Sequence, residues 1–167
     1  GDGFEIGMQE VTVHARRAAT FQEIAERDDL TGLSNLVGLR RILGRQLSQL
    51  RASSPLSCVY VDILAFGDIN HVFGRDAGDA VLRAVGEHLR KQISPPAAVG
   101  RVRDDQFLLV LPGNELTLTR SQATLLLTML SRTPVEYRGM SIPLRVSIGA
   151  VECVSGMNAE QLIESAR

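Results

Sequence analysis

Two acidic positions in this sequence have the surroundings of a metal site. Asp62 ends the apolar, β-branched run over residues 59–62, and a carboxylate that closes a buried strand commonly holds a divalent cation. Asp104 and Asp105 are neighbours at the tip of a predicted β-hairpin over residues 99–112, where their charges repel each other and a bound cation would relieve the repulsion. The spacing predicts that Asp62 and Asp105 face one Mg²⁺, with a phosphate-bearing ligand beside it.

The same acids also allow a purely structural interpretation. A carboxylate at the end of a strand needs a partner, and either Arg101 or Arg103 could form an ion pair with Asp62. Arg103 could instead pair with Asp104 or contact a phosphate group. The residue types alone leave these alternatives open.

The hydrophobic pattern predicts the elements that would position these residues. Apolar residues recur at helical spacing over residues 10–28, 36–50, 67–74, 76–93 and 117–130, and a last helix begins near residue 158. Predicted strands end at Asp62, form the two arms of the hairpin, and cover residues 134–137 and 142–153. Because the strands both form hairpins and alternate with helices, we predict an α/β (α+β) domain with a mixed sheet flanked by helices.

Composition excludes several classes of protein. The 167 residues carry a net charge of −1, which gives no electrostatic basis for binding nucleic acid or an anionic membrane. No apolar run approaches the length of a membrane span. Cys58 and Cys153 both lie in apolar runs, so we expect buried thiols in a reducing compartment, the cytoplasm, with a disulfide as the alternative.

Four motifs follow one another in the order and spacing of a known family. They are D-D-L-T-G-L-S-N at residues 28–35, the block from Asp62 through Asn70 to Asp79, R-V-R-D-D-Q-F at residues 101–107, and S-I-G at residues 147–149. With them, residues 28–167 resemble the GGDEF domain of bacterial diguanylate cyclases, which join two GTP molecules into cyclic di-GMP. The resemblance implies a mainly antiparallel sheet in a nucleotide-cyclase-like fold with a ferredoxin-like core.

The resemblance also implies roles for individual residues. Asp62, the backbone carbonyl of Ile63 and Asp105 correspond to the family's metal ligands for Mg²⁺, for which Mn²⁺ substitutes. Asp105 also corresponds to the acid that activates the attacking 3′-hydroxyl group. The implied nucleotide-binding residues are Asn70, Asp79 and Phe66.

The chain departs from the family pattern at several charged or close-approach positions. Arg103 and Asp104 replace the two glycines of the signature, and Gln106 replaces its glutamate. Leu64 stands where the family has a second aspartate, and Gly67 where it has a lysine. Metal-assisted transfer depends on placed charge for most of its rate, so these changes together predict a loss of turnover.

The family's product-inhibition site is absent from this sequence. Ser94 and Ala97 occupy the positions of its R-x-x-D pair, so neither charged partner is present. The family's phosphate-holding basic residues correspond to positions beyond Arg167.

We therefore expect a degenerate, regulatory GGDEF domain that still binds GTP with Mg²⁺. One alternative is a weak diguanylate cyclase that works as a dimer, and another is an interaction domain with an empty pocket. Residues 1–27 are predicted to be a connector helix from an upstream signalling module, and residues 28–167 the domain, truncated at its C-terminal end. Degenerate family members often adjoin a phosphodiesterase (EAL) domain, which is the neighbour that the resemblance implies.

Overall fold

The computed structural model describes residues 21–50 and 54–167. Most of the predicted helix over residues 10–28 lies outside these residues, and residues 21–25 are helical. The helices are α1 (Leu36–Ser48), α2 (Phe66–Phe73), α3 (Arg75–Lys91), α4 (Leu116–Arg132) and α5 (Ala159–Ala166). The strands are β1 (Leu56–Ile63), β2 (Ala98–Arg103), β3 (Gln106–Pro112), β4 (Val135–Tyr137), β5 (Met140–Ile142) and β6 (Val146–Glu152).

Four strands form one antiparallel sheet in the order β2-β3-β1-β6. The short strands β4 and β5 form a separate antiparallel hairpin. An antiparallel central sheet with helices packed on it confirms the predicted fold class.

Helices cover both faces of the sheet. Because alternate residues of a strand point to opposite faces, successive residues of one strand pack in two different cores. Val59 and Val61 of β1 belong to a core that also contains buried residues of α3 and α4. Cys58 and Tyr60 of the same strand pack in a second core with buried residues of α1 and α5. β1 is central and covered on both sides, which explains why its sequence is an almost continuous apolar run.

One predicted strand was wrong in its extent. Residues 142–153 were expected to form a single strand, but β5 ends at Ile142 and β6 begins at Val146. Pro143 has no backbone N–H to donate, and the chain leaves the small hairpin there before it joins the main sheet.

Both cysteines are buried free thiols. Burial raises the pKa of Cys58 to about 12, so its thiolate is strongly disfavoured. In the part of the chain that the structure describes, no helix combines the length and the apolar character needed to cross a membrane.

Candidate functional site

The hairpin of β2 and β3 places two acids beside the end of β1. Its turn consists of Asp104 and Asp105, as predicted. Asp62 lies directly opposite Gln106 in the antiparallel register, and the backbone N–H of Ile63 donates to the carbonyl of Asp105 over 3.1 Å. The structure therefore brings Asp62 and Asp105 to the same edge of the sheet.

Burial and neighbouring charges make ionisation of Asp105 unfavourable. Burial raises the pKa of Asp105, and the negative charges of Asp62 and Asp104 raise it further. A backbone hydrogen bond and the charge of Arg101 act in the opposite direction. The carboxylate of Asp105 is thus held in a place where its charge is unfavourable.

This arrangement fits one hard cation. Asp62 and Asp105 supply carboxylate oxygens and Ile63 a backbone carbonyl, which are ligands that Mg²⁺ prefers. Among residues 21–50 and 54–167, no group of three or more His, Cys, Asp or Glu side chains converges to hold a metal. The residues present therefore suit a cation that keeps several waters or shares its ligands with a bound phosphate.

The predicted ion pairs to Asp62 are not formed with either arginine. Arg101 bonds Asp28 instead, with Nη1 3.1 Å from Oδ1, and its Nε and Nη2 donate to the carbonyl of Asp104 over 3.0 and 2.6 Å. Arg103 is exposed and, within the described residues, has no carboxylate within 4.0 Å. Its side chain borders a cleft of about 350 Å³ between the hairpin and the start of α1.

Asp28 anchors the loop that leads into α1. Its carboxylate accepts from both the backbone N–H and the hydroxyl of Thr31, over 2.9 and 2.7 Å. Burial opposes ionisation, but the bonds from Thr31 and the charge of Arg101 outweigh it and lower the pKa of Asp28. Asp28 therefore has a structural role that the sequence reasoning did not assign.

A second unexpected contact involves Gln106. The hydroxyl of Tyr60 donates to Oε1 of Gln106 over 2.6 Å. Tyr60 lies two residues before Asp62 and so on the same side of β1, which was the one signal in the sequence for this contact.

The predicted nucleotide-binding residues come together on α2 and α3. A side chain on Gly78 would collide with the amide of Asn70 and would press on the ring of Phe66. The glycine thus lets Asn70 lie across the first turn of α3, next to the position of Asp79. Gly74, with φ +88°, makes the sharp turn between the two helices.

Apart from the half-buried Gln106, the departures from the family pattern around this site lie at the surface. Leu64 directly follows β1 and is 41% exposed, and Gly67 is exposed in the first turn of α2. Arg103 and Asp104 are exposed at the hairpin turn. Further away, Ser94 and Ala97 lie in the loop between α3 and β2, where neither residue carries a charge.

Comparisons with known proteins agree with this geometry. The family model described as "Diguanylate cyclase, GGDEF domain" matches residues 25–167. The chain therefore belongs to the GGDEF family, whose domains occur in cyclic di-GMP signalling proteins.

Two curated relatives show the range of proteins that contain similar sequences. The diguanylate cyclase DosC of Escherichia coli is 29% identical over 152 residues, which cover 87% of this chain and 33% of the relative. The cyclic di-GMP phosphodiesterase NbdA of Pseudomonas aeruginosa is 25% identical over 152 residues, 89% of this chain and 19% of the relative. The chain thus spans a third or less of the length of these relatives.

A solved structure shares the fold. The crystal structure of a sensory box/GGDEF family protein from Caulobacter crescentus superimposes with a TM-score of 0.78 at 29% identity. The match covers 84% of this chain and 92% of that one.

Proposed function

We propose that this chain is a degenerate GGDEF domain that binds GTP with one Mg²⁺ but does not turn it over, and that it regulates the protein that contains it. The observation that carries this proposal is the hairpin turn. Arg103 and Asp104 project there in place of the two glycines of the family signature, and Arg101 fixes the carbonyl of Asp104 with two hydrogen bonds.

The turn opposes catalysis for two physical reasons. Glycine lets a ligand approach the backbone closely, whereas the side chains of Arg103 and Asp104 occupy that space. Asp104 also adds a negative charge next to Asp105, which disfavours the additional negative charge that develops on a reacting phosphate group, whereas its exposed side chain can turn away from a triphosphate that is only bound. At a separation of about 4 Å and an effective dielectric of 20, repulsion between two unit charges is of order 4 kcal/mol.

The residues that still match the family pattern support binding of GTP. Asp62 and Asp105 lie at one edge of the sheet and suit a cation that would offset the charge of a phosphate group. Asn70 and Asp79 offer an amide and a carboxylate, which complement the donors and acceptors of a guanine edge. These residues are the proposed cation and nucleobase ligands, with Phe66 beside Asn70.

The proposed regulatory role would act on a neighbouring domain. A relative that is a cyclic di-GMP phosphodiesterase contains a similar sequence, which supports an adjacent phosphodiesterase or sensor domain as the partner. A weak, dimeric diguanylate cyclase is the second candidate, and the retained pair of Asp62 and Asp105 is the observation that favours it.

The test combines binding with turnover. The purified protein is titrated with GTP in the presence of Mg²⁺ or Mn²⁺ by calorimetry, and the same samples are analysed for cyclic di-GMP by chromatography. We expect GTP binding without product, and product after the triple restoration Arg103→Gly, Asp104→Gly and Gln106→Glu. The matched control carries Asp62→Ala and Asp105→Ala in the restored background and should lose the product.

The outcomes separate the candidates. Product from the unmodified protein that disappears with Asp62→Ala would establish the weak cyclase and overturn the inactive assignment. Failure to bind GTP, with Asn70→Ala and Asp79→Ala giving the same result as the unmodified protein, would leave an interaction domain with an empty pocket.

A further inference from the structure

Tyr60 connects the core of the domain to the proposed cation site. It lies in the middle of β1, it is buried, and its hydroxyl donates to Oε1 of Gln106 over 2.6 Å. Among residues 21–50 and 54–167, this is the one hydrogen bond of that hydroxyl. A buried hydroxyl without a partner is costly, so the contact has a reason to persist.

The register shows which way the contact draws Gln106. Gln106 pairs with Asp62, and Tyr60 pairs with Leu108, two positions further from the hairpin turn. Asp105 lies on the other side of Gln106, in the turn itself. A Gln106 side chain that bonds Tyr60 therefore leans along the strand, away from Asp105.

Gln106 would otherwise be placed to serve as an additional ligand for the cation. It lies opposite one proposed metal ligand and next to the other, and its amide oxygen is a ligand that divalent cations accept. In the observed orientation that oxygen accepts the hydroxyl hydrogen of Tyr60. The amide nitrogen carries only hydrogens and offers a cation nothing.

We propose that Tyr60 is a positioning residue that withholds Gln106 from the cation held by Asp62 and Asp105, and that this contact keeps the affinity for the cation low. The inference rests on the proposed cation site. It goes beyond that site because it assigns the weak affinity to one hydrogen bond in the core, in addition to the missing charge at position 106.

A double-mutant cycle tests the proposal. Mn²⁺ alone is titrated into the nucleotide-free protein, free Mn²⁺ is measured by electron paramagnetic resonance, and Mg²⁺ is added to show competition. Tyr60→Phe should tighten Mn²⁺ binding by roughly tenfold, because a residue that positions a metal ligand typically changes the affinity by about that factor, and here the position it imposes is the unfavourable one. In the Gln106→Ala background, Tyr60→Phe should leave the affinity unchanged, because the withheld oxygen is gone.

Two controls separate positioning from a general structural effect. Tyr137→Phe removes a phenolic hydroxyl from β4, outside the proposed site, and should not change Mn²⁺ binding. In the metal-free protein, the side-chain amide resonances of Gln106 should shift with Tyr60→Phe and stay in place with Tyr137→Phe.

Each outcome bears on one proposal or both. An unchanged or weaker affinity in Tyr60→Phe, or a gain that persists with Gln106→Ala, overturns the role of Tyr60 while Mn²⁺ binding by the unmodified protein still supports the cation site. Binding that is detected only in Tyr60→Phe supports the role in its strongest form. No Mn²⁺ binding by any variant overturns the role of Tyr60, whereas the proposed function is decided separately by the titration with GTP and Mg²⁺, because a bound phosphate can supply ligands that the nucleotide-free protein lacks.

Discussion

The guanidinium of Arg101 lies 3.1 Å from the carboxylate of Asp28, although the two residues are 73 positions apart in the chain. The same guanidinium donates to the carbonyl of Asp104 in the hairpin turn. One side chain thus connects the loop before α1 with the turn that carries the candidate site. The shape of that turn depends on a residue that is itself outside the proposed ligand set.

Replacing Arg101 should destabilise the domain. Arg101→Ala leaves Asp28 and the carbonyl of Asp104 without these partners, and the side chains of the ion pair are only 16% and 20% exposed. We expect the free energy of unfolding to fall by about 1–3 kcal/mol in urea denaturation. Lys91→Ala, which breaks an exposed pair with Glu87, is the control and should have little effect. Equal effects of the two changes would contradict this assignment.

The tight packing around Gly100, in strand β2 of the same hairpin, leads to a second prediction. A Cβ on Gly100 would lie 2.6 Å from both the carbonyl oxygen of Ser34 and the side chain of Leu39. Because that carbonyl belongs to the backbone and accepts from the N–H of Arg101 over 2.8 Å, it has little freedom to move. Gly100→Ala should therefore lower the free energy of unfolding by about 1–3 kcal/mol.

The matched control for this substitution lies in α1. A Cβ on Gly44 would meet no atom within 4 Å, so Gly44→Ala should stabilise the domain by about 0.5–1 kcal/mol through helix propensity. Thermal denaturation of the two variants should thus shift in opposite directions. A Gly100→Ala variant that is as stable as the unmodified protein would show that the contact at Gly100 is relieved by backbone movement.

The hairpin illustrates how far the sequence alone could lead. Two short apolar runs and the polar turn between them predicted both arms and placed Asp105 at the tip, because these features are local. The partner of Arg101 could not be predicted in this way. The sequence offered Asp62 as the acid for Arg101, whereas the partner is Asp28, which the pairing of Ser34 with Gly100 brings to the edge of β2.

The bond between Tyr60 and Gln106 shows the same limit. Both residues lie in predicted strands, but their contact depends on the register in which β1 and β3 pair, which the two strand sequences do not determine separately. The local sequence pattern also gave a wrong result around Pro143, where the single predicted strand is in fact divided between two sheets. The elements predicted best were those whose hydrophobic pattern and turn residues lie within one continuous stretch of the sequence.

The buried hydroxyl of Thr119 provides a third prediction. Thr119 is fully buried in α4, and its Oγ1 has no hydrogen-bond partner among the residues that the structure describes. Thr119→Val keeps the shape and removes an unpaired polar atom, so the free energy of unfolding should rise by about 1 kcal/mol. Thr124→Val is the control, because that residue is exposed and donates to the carbonyl of Arg120. A loss of stability in Thr119→Val would reveal a partner for the hydroxyl.

The charge of Asp105 leads to a prediction about pH. Burial and the neighbouring charges of Asp62 and Asp104 raise the pKa of Asp105 in the folded protein above its usual value of 3.8. The folded state therefore holds this proton more tightly than the unfolded state does, and stability falls as the pH rises from the ordinary to the raised pKa. At neutral pH the penalty is fully present. Asp105→Asn removes it and should raise the melting temperature in a buffer with chelator.

The gain in stability from Asp105→Asn should depend on the pH and on whether Mg²⁺ is present. The difference between Asp105→Asn and the unmodified protein should vanish well below pH 3.8 and grow as the pH rises through the range just above it, because only the ionised carboxylate is penalised. Asp104→Asn, at an exposed position of the same turn, should give a smaller gain. Added Mg²⁺ should raise the melting temperature of the unmodified protein more than that of Asp105→Asn, since the cation stabilises only a folded state that binds it. If Asp105→Asn proves less stable at neutral pH without Mg²⁺, the like-charge strain between Asp62 and Asp105 is absent, and the physical argument for a cation between them is lost.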